Sequence, residues 1–178
     1  MADIKPFSAV KLICGIIASR QPVFKEAQSY LEDEFGPVDH SSALYEFTST
    51  DYYTKQMGDG LKRKFLSFYD LIDPERMSRI KMRTNELEDI IRLKSATPQR
   101  AVNIDPGYMT ASALIMATAK DFAHRIPLQA GIYAHLELLF LKKAIKTLSW
   151  TYPDYKTELY HSFFLEVRKS YLVQLRQA

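Results

Sequence analysis

The residues best suited to chemistry lie between Arg100 and Tyr155, where Asp105, Lys120, Asp121, His124, Arg125, Tyr133, His135, Glu137, Trp150 and Asp154 are interleaved with strand-like apolar residues. Lys120, His124 and Arg125 are cations able to grip a phosphate, the arginine as a bidentate fork and the lysine as a point charge. Asp105, Asp121 and Glu137 are hard oxygen donors suited to magnesium, which takes a few carboxylates together with water and ligand oxygens. His124 reads either as a ligand contact or as an imidazole tying down its own loop, and His135 as an exposed strand residue. The run Trp150 to Tyr155, WTYPDY, offers aromatic walls for a pocket; its structural alternative is a rigid turn in which Asp154 caps the last helix.

Three further stretches carry polar or aromatic groups. Tyr52 and Tyr53 stand beside Asp51 as candidate ligand contacts, or as a packed aromatic pair. Asn85, in NELE, reads as the start of a capping box. Lys62, Arg63 and Lys64 read as the solvated end of a strand that could meet phosphate only if a cleft lies beside it.

Elements able to position these groups follow from periodicity. Val10 to Ala18 is almost continuously apolar and fits a strand covered on both faces. Pro22 suits the first turn of a helix whose stripe is Phe24, Ala27, Tyr30, Leu31 and Phe35, ended by Gly36-Pro37. Ala43 to Thr48 alternates as a strand, Ser49 to Gly60 is a loop or one to two helical turns, and Phe65 to Tyr69 is a strand. Asp73-Pro74 opens a helix-favouring segment with a firm helix over 86–94, and Ser95 to Gln99 is a loop. Arg100 to Ile104 reads as a strand ended or bulged at Asp105-Pro106-Gly107, and Ala113 to Ala119 as a strand or a short helix. From Ile132 to Phe140 a period of two puts Ile132, Ala134, Leu136, Leu138 and Phe140 on a core face and Tyr133, His135 and Glu137 on the other. Lys142-Lys143 turns into a last strand reaching Trp150, and a long helix follows with the stripe Leu159, Tyr160, Phe163, Phe164, Val167, Tyr171 and Leu175. These elements predict one α+β domain over 1–178: a mostly antiparallel sheet with helices packed mainly on one face, arranged as a ferredoxin-like plait with an added hairpin.

Composition narrows the function. Twenty-four Lys and Arg against twenty-one Asp and Glu is too balanced for duplex nucleic acid, which favours concentrated positive charge. Cys14, the sole cysteine, sits in an apolar run and reads as a buried core residue. The absence of a membrane-length apolar run and of a leader pattern predicts a cytoplasmic protein. No phosphate loop, dinucleotide fingerprint, nucleophile elbow, H-E-x-x-H pair or C-x-x-C site occurs.

The segments TDYYTKQMG (50–58), LKRKFLSF (61–68), IKMRTNELE (80–88), VNIDPGY (102–108), TAKDFAHRIPL (118–128), GIYAHLEL (131–138) and WTYPDY (150–155) resemble, in order, the motifs of the bacterial family catalogued as domain of unknown function 4416. The resemblance covers nearly the whole chain. It directs attention to Asp51, Tyr52, Asn85, Asp105, His124, Arg125, Glu137 and Asp154 and implies a glutamate at the position held here by His135. It implies no reaction, and the GTP-binding label carried by some members has no phosphate loop behind it in this chain. The functional expectation is a ligand site at one sheet edge, formed by Asp51, Tyr52, Asn85, Asp105, Lys120, His124, Arg125, Tyr133, Glu137, Trp150 and Asp154. It would bind, and as an enzyme process, a phosphate-bearing or nucleotide-like molecule, with magnesium as the candidate metal. The alternative is a non-catalytic protein-interaction or regulatory module.

Overall fold

A computed structural model describes residues 3–50, 52–95, 100–142 and 144–177. The expected loop at 95–99 lies mostly outside these residues, as do Asp51 and Lys143 of the expected site and turn. Among the described residues nine strands form one sheet. They are β1 (Val10–Ala18), β2 (Val38–Ser41), β3 (Tyr45–Glu46), β4 (Lys62–Ile72), β5 (Asn103–Met109), β6 (Ala113–Thr118), β7 (Ile126–Pro127), β8 (Tyr133–Phe140) and β9 (Ile145–Thr147). The order is β2-β4-β1-β5-β6-β8-β7, with β3 also on β4 and β9 also on β8. Every pairing is antiparallel. An α+β fold on an antiparallel sheet is thus as expected.

Helix α1 (Gln21–Phe35) starts with Pro22 in its first turn and stops at Gly36, whose φ of 89° suits glycine. The short α2 (Thr54–Met57) fills the expected loop or turn. Helix α3 runs unbroken over Met77–Lys94 after a 3-10 turn capped by Asp73, so Asn85 lies inside a helix and starts none. Its stripe Met77, Ile80, Thr84, Leu87 and Ile91 is buried throughout. With α1 it covers one face of the sheet, against Leu12, Cys14, Ile16, Leu66 and Ile104. The C-terminal helix α4 (Glu158–Gln177) covers the other face, packing Phe164, Val167 and Tyr171 against Ile13, Phe65 and Leu138. This division explains the unbroken apolar run of β1, which is buried at every position. Cys14 is buried within it, and burial pushes its thiol pKa up.

Two strand boundaries differ from the sequence reading for identifiable reasons. The basic run 62–64 is the start of β4, with Arg63 turned inward and buried. Tyr45 and Glu46 alone of the 43–48 stretch form strand, and Val38–Ser41 supplies an additional strand beside β4. On β8, the register slips between Ile115↔Leu136 and Leu114↔Leu138. That bulge changes the phase of the strand, so His135 opposite Met116 and Leu138 opposite Leu114 share a face that strict alternation would deny them.

The feature that positions the site is on β5, which continues through Pro106 and Gly107. The amide of Ile104 donates to Glu88 Oε1 at 2.7 Å and its carbonyl accepts from Lys81 Nζ at 2.9 Å, so both point away from β1. By alternation the nitrogen of Pro106 also faces away from β1, where proline has no N–H to give. Pairing of β5 with β6 accordingly covers only Gly107↔Met116, Tyr108↔Ile115 and Met109↔Leu114. Beyond Pro106 the two strands part, and side chains of α3 take the hydrogen bonds that a neighbouring strand would have taken.

Gly107 sits at the point of parting. A Cβ there would lie 2.6 Å from the Ile115 carbonyl oxygen and 2.5 Å from Met116 Sδ. Gly107→Ala is therefore expected to destabilise the protein by about 1 to 3 kcal/mol through overpacking against backbone. Urea denaturation should show a lower midpoint with the slope unchanged.

Candidate functional site

The space opened between β5 and β6 is a cleft of about 1060 Å³. Its β5 wall presents Asn103 and Asp105, which alternate onto one side of the strand. From beneath, α3 contributes Lys81, Asn85, Glu88 and Arg92, a stripe at helical spacing beside the buried apolar one. Across the gap are Ala117, Thr118 and Lys120 at the end of β6. Phe47, Tyr52 and Tyr53 close one side, and His135, Tyr152, Asp154 and Tyr155 the other, with Arg63 at the inner surface.

Most of the charge here is paired. Arg63 Nε stands 3.1 Å from Asp154 Oδ2, both side chains nearly inaccessible, and Arg63 Nη1 donates to Tyr155 Oη at 3.1 Å. The guanidinium is also packed over the rings of Phe47 and Tyr155 at 4.8 and 5.3 Å from their centroids. Arg63 Nε and Asp154 Oδ2 are close but lack hydrogen-bond alignment, and neither has another partner. Lys81 Nζ is 3.7 Å from Asp105 Oδ1, while Asn103 Nδ2 donates to Asp105 Oδ2 at 2.6 Å. Arg100 pairs with Glu88, and Arg92 lies 3.3 Å from Asp89. Lys120 Nζ lies 3.7 Å from the centre of the Tyr52 ring and has no acidic partner among the described residues. Burial pushes the carboxyls of Asp154 and Glu88 up, opposed at Asp154 by Arg63 and at Glu88 by Arg100 and Lys81.

Of the residues expected from sequence to form the ligand site, Tyr52, Asn85, Asp105, Lys120 and Asp154 line this cleft, together with Tyr53 and His135. Asp154 turns to Arg63 and leaves the start of α4 uncapped by its side chain, and Tyr52 and Tyr53 do form an edge-on pair, 5.0 Å between centroids. A second group stands behind the His135 and Tyr152 wall. Arg125 Nε donates to His135 Nδ1 at 3.3 Å, Nη2 to Tyr152 Oη at 2.9 Å and Nη1 to the Lys120 carbonyl at 2.7 Å. Arg125 thus pairs with neither Asp105 nor Glu137 and ties three segments together. Glu137 is fully buried; its Oε1 accepts the Tyr152 amide at 2.7 Å and its Oε2 is 2.8 Å from His135 Nε2, off the hydrogen-bond axis. Trp150 Nε1 donates to the Leu136 carbonyl and its ring stacks on His124, 5.1 Å between centroids. His135 is 1% exposed, against the expectation of an exposed strand residue, because the β8 bulge and the WTYPDY turn close over it. Tyr133 pairs along β8 with Thr118 and Pro127 and is not among the lining residues, and Asp121 is exposed on the loop after β6. Asp105, Asp121 and Glu137 therefore form no common centre, and among the described residues no three His, Cys, Asp or Glu side chains are grouped to hold a metal.

The sequence reading missed Lys81, Glu88, Arg92, Arg100 and Asn103, and named Arg63 only within a basic run that could meet phosphate beside a cleft. The 81, 85, 88, 92 spacing and the 103, 105 alternation were visible signals for four of them. Nothing in the KRK run distinguishes the buried Arg63 from its neighbours.

His124 provides a pH-dependent test of the supporting layer. Burial, with the neighbouring His135 and Arg125, lowers its pKa below the usual 6.5, and its Nε2 is buried without a partner. A depressed folded-state pKa means that the unfolded chain takes up the proton first. The contribution of neutral His124 to stability is then present above about pH 6.5 and lost as pH falls through the folded value. His124→Phe, which keeps the ring stack on Trp150, is expected to flatten the fall in melting temperature between pH 7.5 and pH 5 relative to the unmodified protein.

A twisted antiparallel sheet with helices on both faces, parted between two strands over a polar cleft, defines the class: an α+β protein. Over residues 8–171 the chain matches the family described as domain of unknown function (DUF4416), and it belongs to that family. No curated protein and no solved structure gives a significant match. Among the described residues no helix is long and apolar enough to cross a membrane.

Proposed function

We propose that the cleft between β5 and β6 binds a small phosphate-bearing, nucleotide-like ligand, in a cytoplasmic bacterial protein. The observation that carries this reading is the convergence of Arg63, Lys81, Arg92, Arg100 and Lys120 with Tyr52, Tyr53 and Tyr152 on one concavity. Its volume of about 1060 Å³ suits a nucleotide-sized molecule. The five cations face four carboxylates, Glu88, Asp89, Asp105 and Asp154, so the described lining keeps a positive excess. Tyr52 is 56% exposed and offers its ring for stacking. Magnesium would enter with the ligand, since it needs only one or two carboxylates beside phosphate oxygens.

A melting-temperature screen of nucleotides and sugar phosphates, with and without magnesium, tests this reading. Ligand at about 100 times its Kd should stabilise the fold by about 2.7 kcal/mol. An unmoved melting temperature across the panel would reject the reading. A second reading, a non-catalytic interaction module, draws on Phe122, Ile126 and Leu128, exposed by 64, 66 and 45% on and around the edge strand β7. It predicts no ligand shift and a changed oligomeric or bound state when Phe122 and Ile126 are replaced by serine.

A further inference from the structure

The two walls of the cleft differ in what they can accept, and the difference bears on which part of a ligand goes where. On the β5 wall Asp105 is held at both oxygens, by Asn103 Nδ2 on Oδ2 at 2.6 Å and by Lys81 near Oδ1 at 3.7 Å. Lys81 is itself fixed by the Ile104 carbonyl. The carboxylate keeps 26% of its side-chain surface open, enough to accept further hydrogen bonds in a set direction. Beside it, the inner surface holds the ion pair of Arg63, 5% exposed, with Asp154, whose facing atoms Nε and Oδ2 make no aligned hydrogen bond. A phosphate seated here would meet the carboxylates of Asp105 and Asp154, whose cations Lys81 and Arg63 are already paired with them, so this wall offers an anion no uncompensated positive charge. A hydroxyl needs no such charge and can both donate to a carboxylate and accept from a nitrogen donor. On the opposite wall Lys120 lies over the Tyr52 ring, with no carboxylate partner among the described residues. That is the side suited to an anion.

We infer that the ligand is a polyol phosphate, a sugar phosphate or nucleoside phosphate with free vicinal hydroxyls. Asp105, oriented by Asn103 and Lys81, receives the hydroxyls, and Lys120 meets the phosphate across the cleft. The inference rests on the phosphate-ligand reading above and adds to it a ligand class, a polarity and a specificity-determining carboxylate. It also separates the roles of Lys81 and Lys120: the first orients Asp105, and the second meets the ligand's charge.

Calorimetric titration with adenosine 5′-phosphate, its 2′,3′-dideoxy analogue, ribose 5-phosphate and inorganic phosphate tests it. The unmodified protein is expected to bind the two ribose compounds at least about tenfold more tightly than the dideoxy analogue or inorganic phosphate, because a site built to hydrogen-bond hydroxyls rejects a ligand lacking them. Asp105→Asn should reduce that preference to about twofold or less, and Lys120→Met should weaken all phosphate compounds while leaving the ratio between ribose and dideoxy forms intact. Equal binding of the ribose and dideoxy compounds by the unmodified protein would overturn the inference whether or not the variants fold. So would a folded Asp105→Asn protein that still discriminates. In both cases the phosphate reading would stand. Failure of all four compounds to bind would overturn both.

Discussion

Replacement of Arg63 by alanine is expected to destabilise the protein by about 3 to 5 kcal/mol, the usual effect of removing one partner of a buried ion pair. Asp154, 11% exposed, would be left without its cation, and the Tyr155 hydroxyl without its donor. The packing of the guanidinium over Phe47, Phe65 and Tyr155 would be lost as well. The diagnostic control is the double replacement Arg63→Met with Asp154→Leu, which removes both charges and keeps most of the volume. It should recover the greater part of the loss, since an apolar pair of similar size is often neutral or stabilising where a single deletion is not. Equilibrium urea denaturation of the three proteins measures this directly. A single variant less than about 1 kcal/mol below the unmodified protein would show that the pair is solvated, as only exposed pairs are that weak.

The second large effect is expected at Glu137, which touches no part of the cleft surface yet holds its wall. Glu137→Ala would leave the Tyr152 amide and His135 Nε2 facing an apolar space, and should destabilise by about 3 kcal/mol or more. Glu137→Gln keeps an oxygen for the Tyr152 amide and should lose about 1 kcal/mol. Because Tyr152 and His135 stack on one another, 5.0 Å between centroids, the alanine variant should also loosen the WTYPDY turn. Faster hydrogen exchange at the Tyr152 amide in the alanine variant than in the glutamine variant is the local signature. Equal exchange in the two would place the strength of the turn elsewhere, in Thr151 and Trp150, which also bond to β8 carbonyls.

These two sites show what could and could not be read from the chain. The strands β1 and β8 and the helices α1 and α4 were legible because each carries a complete local pattern: an unbroken apolar run, a period of two, or a stripe ended by glycine. Helix α3 was read too short because NELE at Asn85 has the pattern of a capping box, whereas Asn85 lies inside the helix, and the buried Lys81 and Glu88 are held by Ile104 on β5. The continuation of β5 through Pro106 was not legible either. A proline ends a strand only where its missing N–H is needed, and that depends on which neighbour lies on that side. In the site, Asp105, Lys120 and Asp154 announced themselves as charged residues in a strand-rich stretch, Tyr52 as one of an aromatic pair and Asn85 only through a capping-box pattern. Arg63 did not, since three consecutive cations look alike until the pleat turns the middle one inward. His135 and Glu137 were correctly placed on one strand, on a face read as turned to solvent or to a cleft, but their burial was not legible, because the bulge that buries them depends on the register between β6 and β8.

The most direct test of the central claim is to map the amide chemical shifts of the protein during titration with ribose 5-phosphate. The expected result is saturable perturbation at Asn103, Asp105 and Thr118 to Lys120, with weaker shifts at Tyr52 and on the Lys81 to Arg92 face of α3, all of which border the parting of β5 and β6. Perturbation centred instead on Phe122 to Leu128 or on α4, or none at all at millimolar ligand, would contradict it.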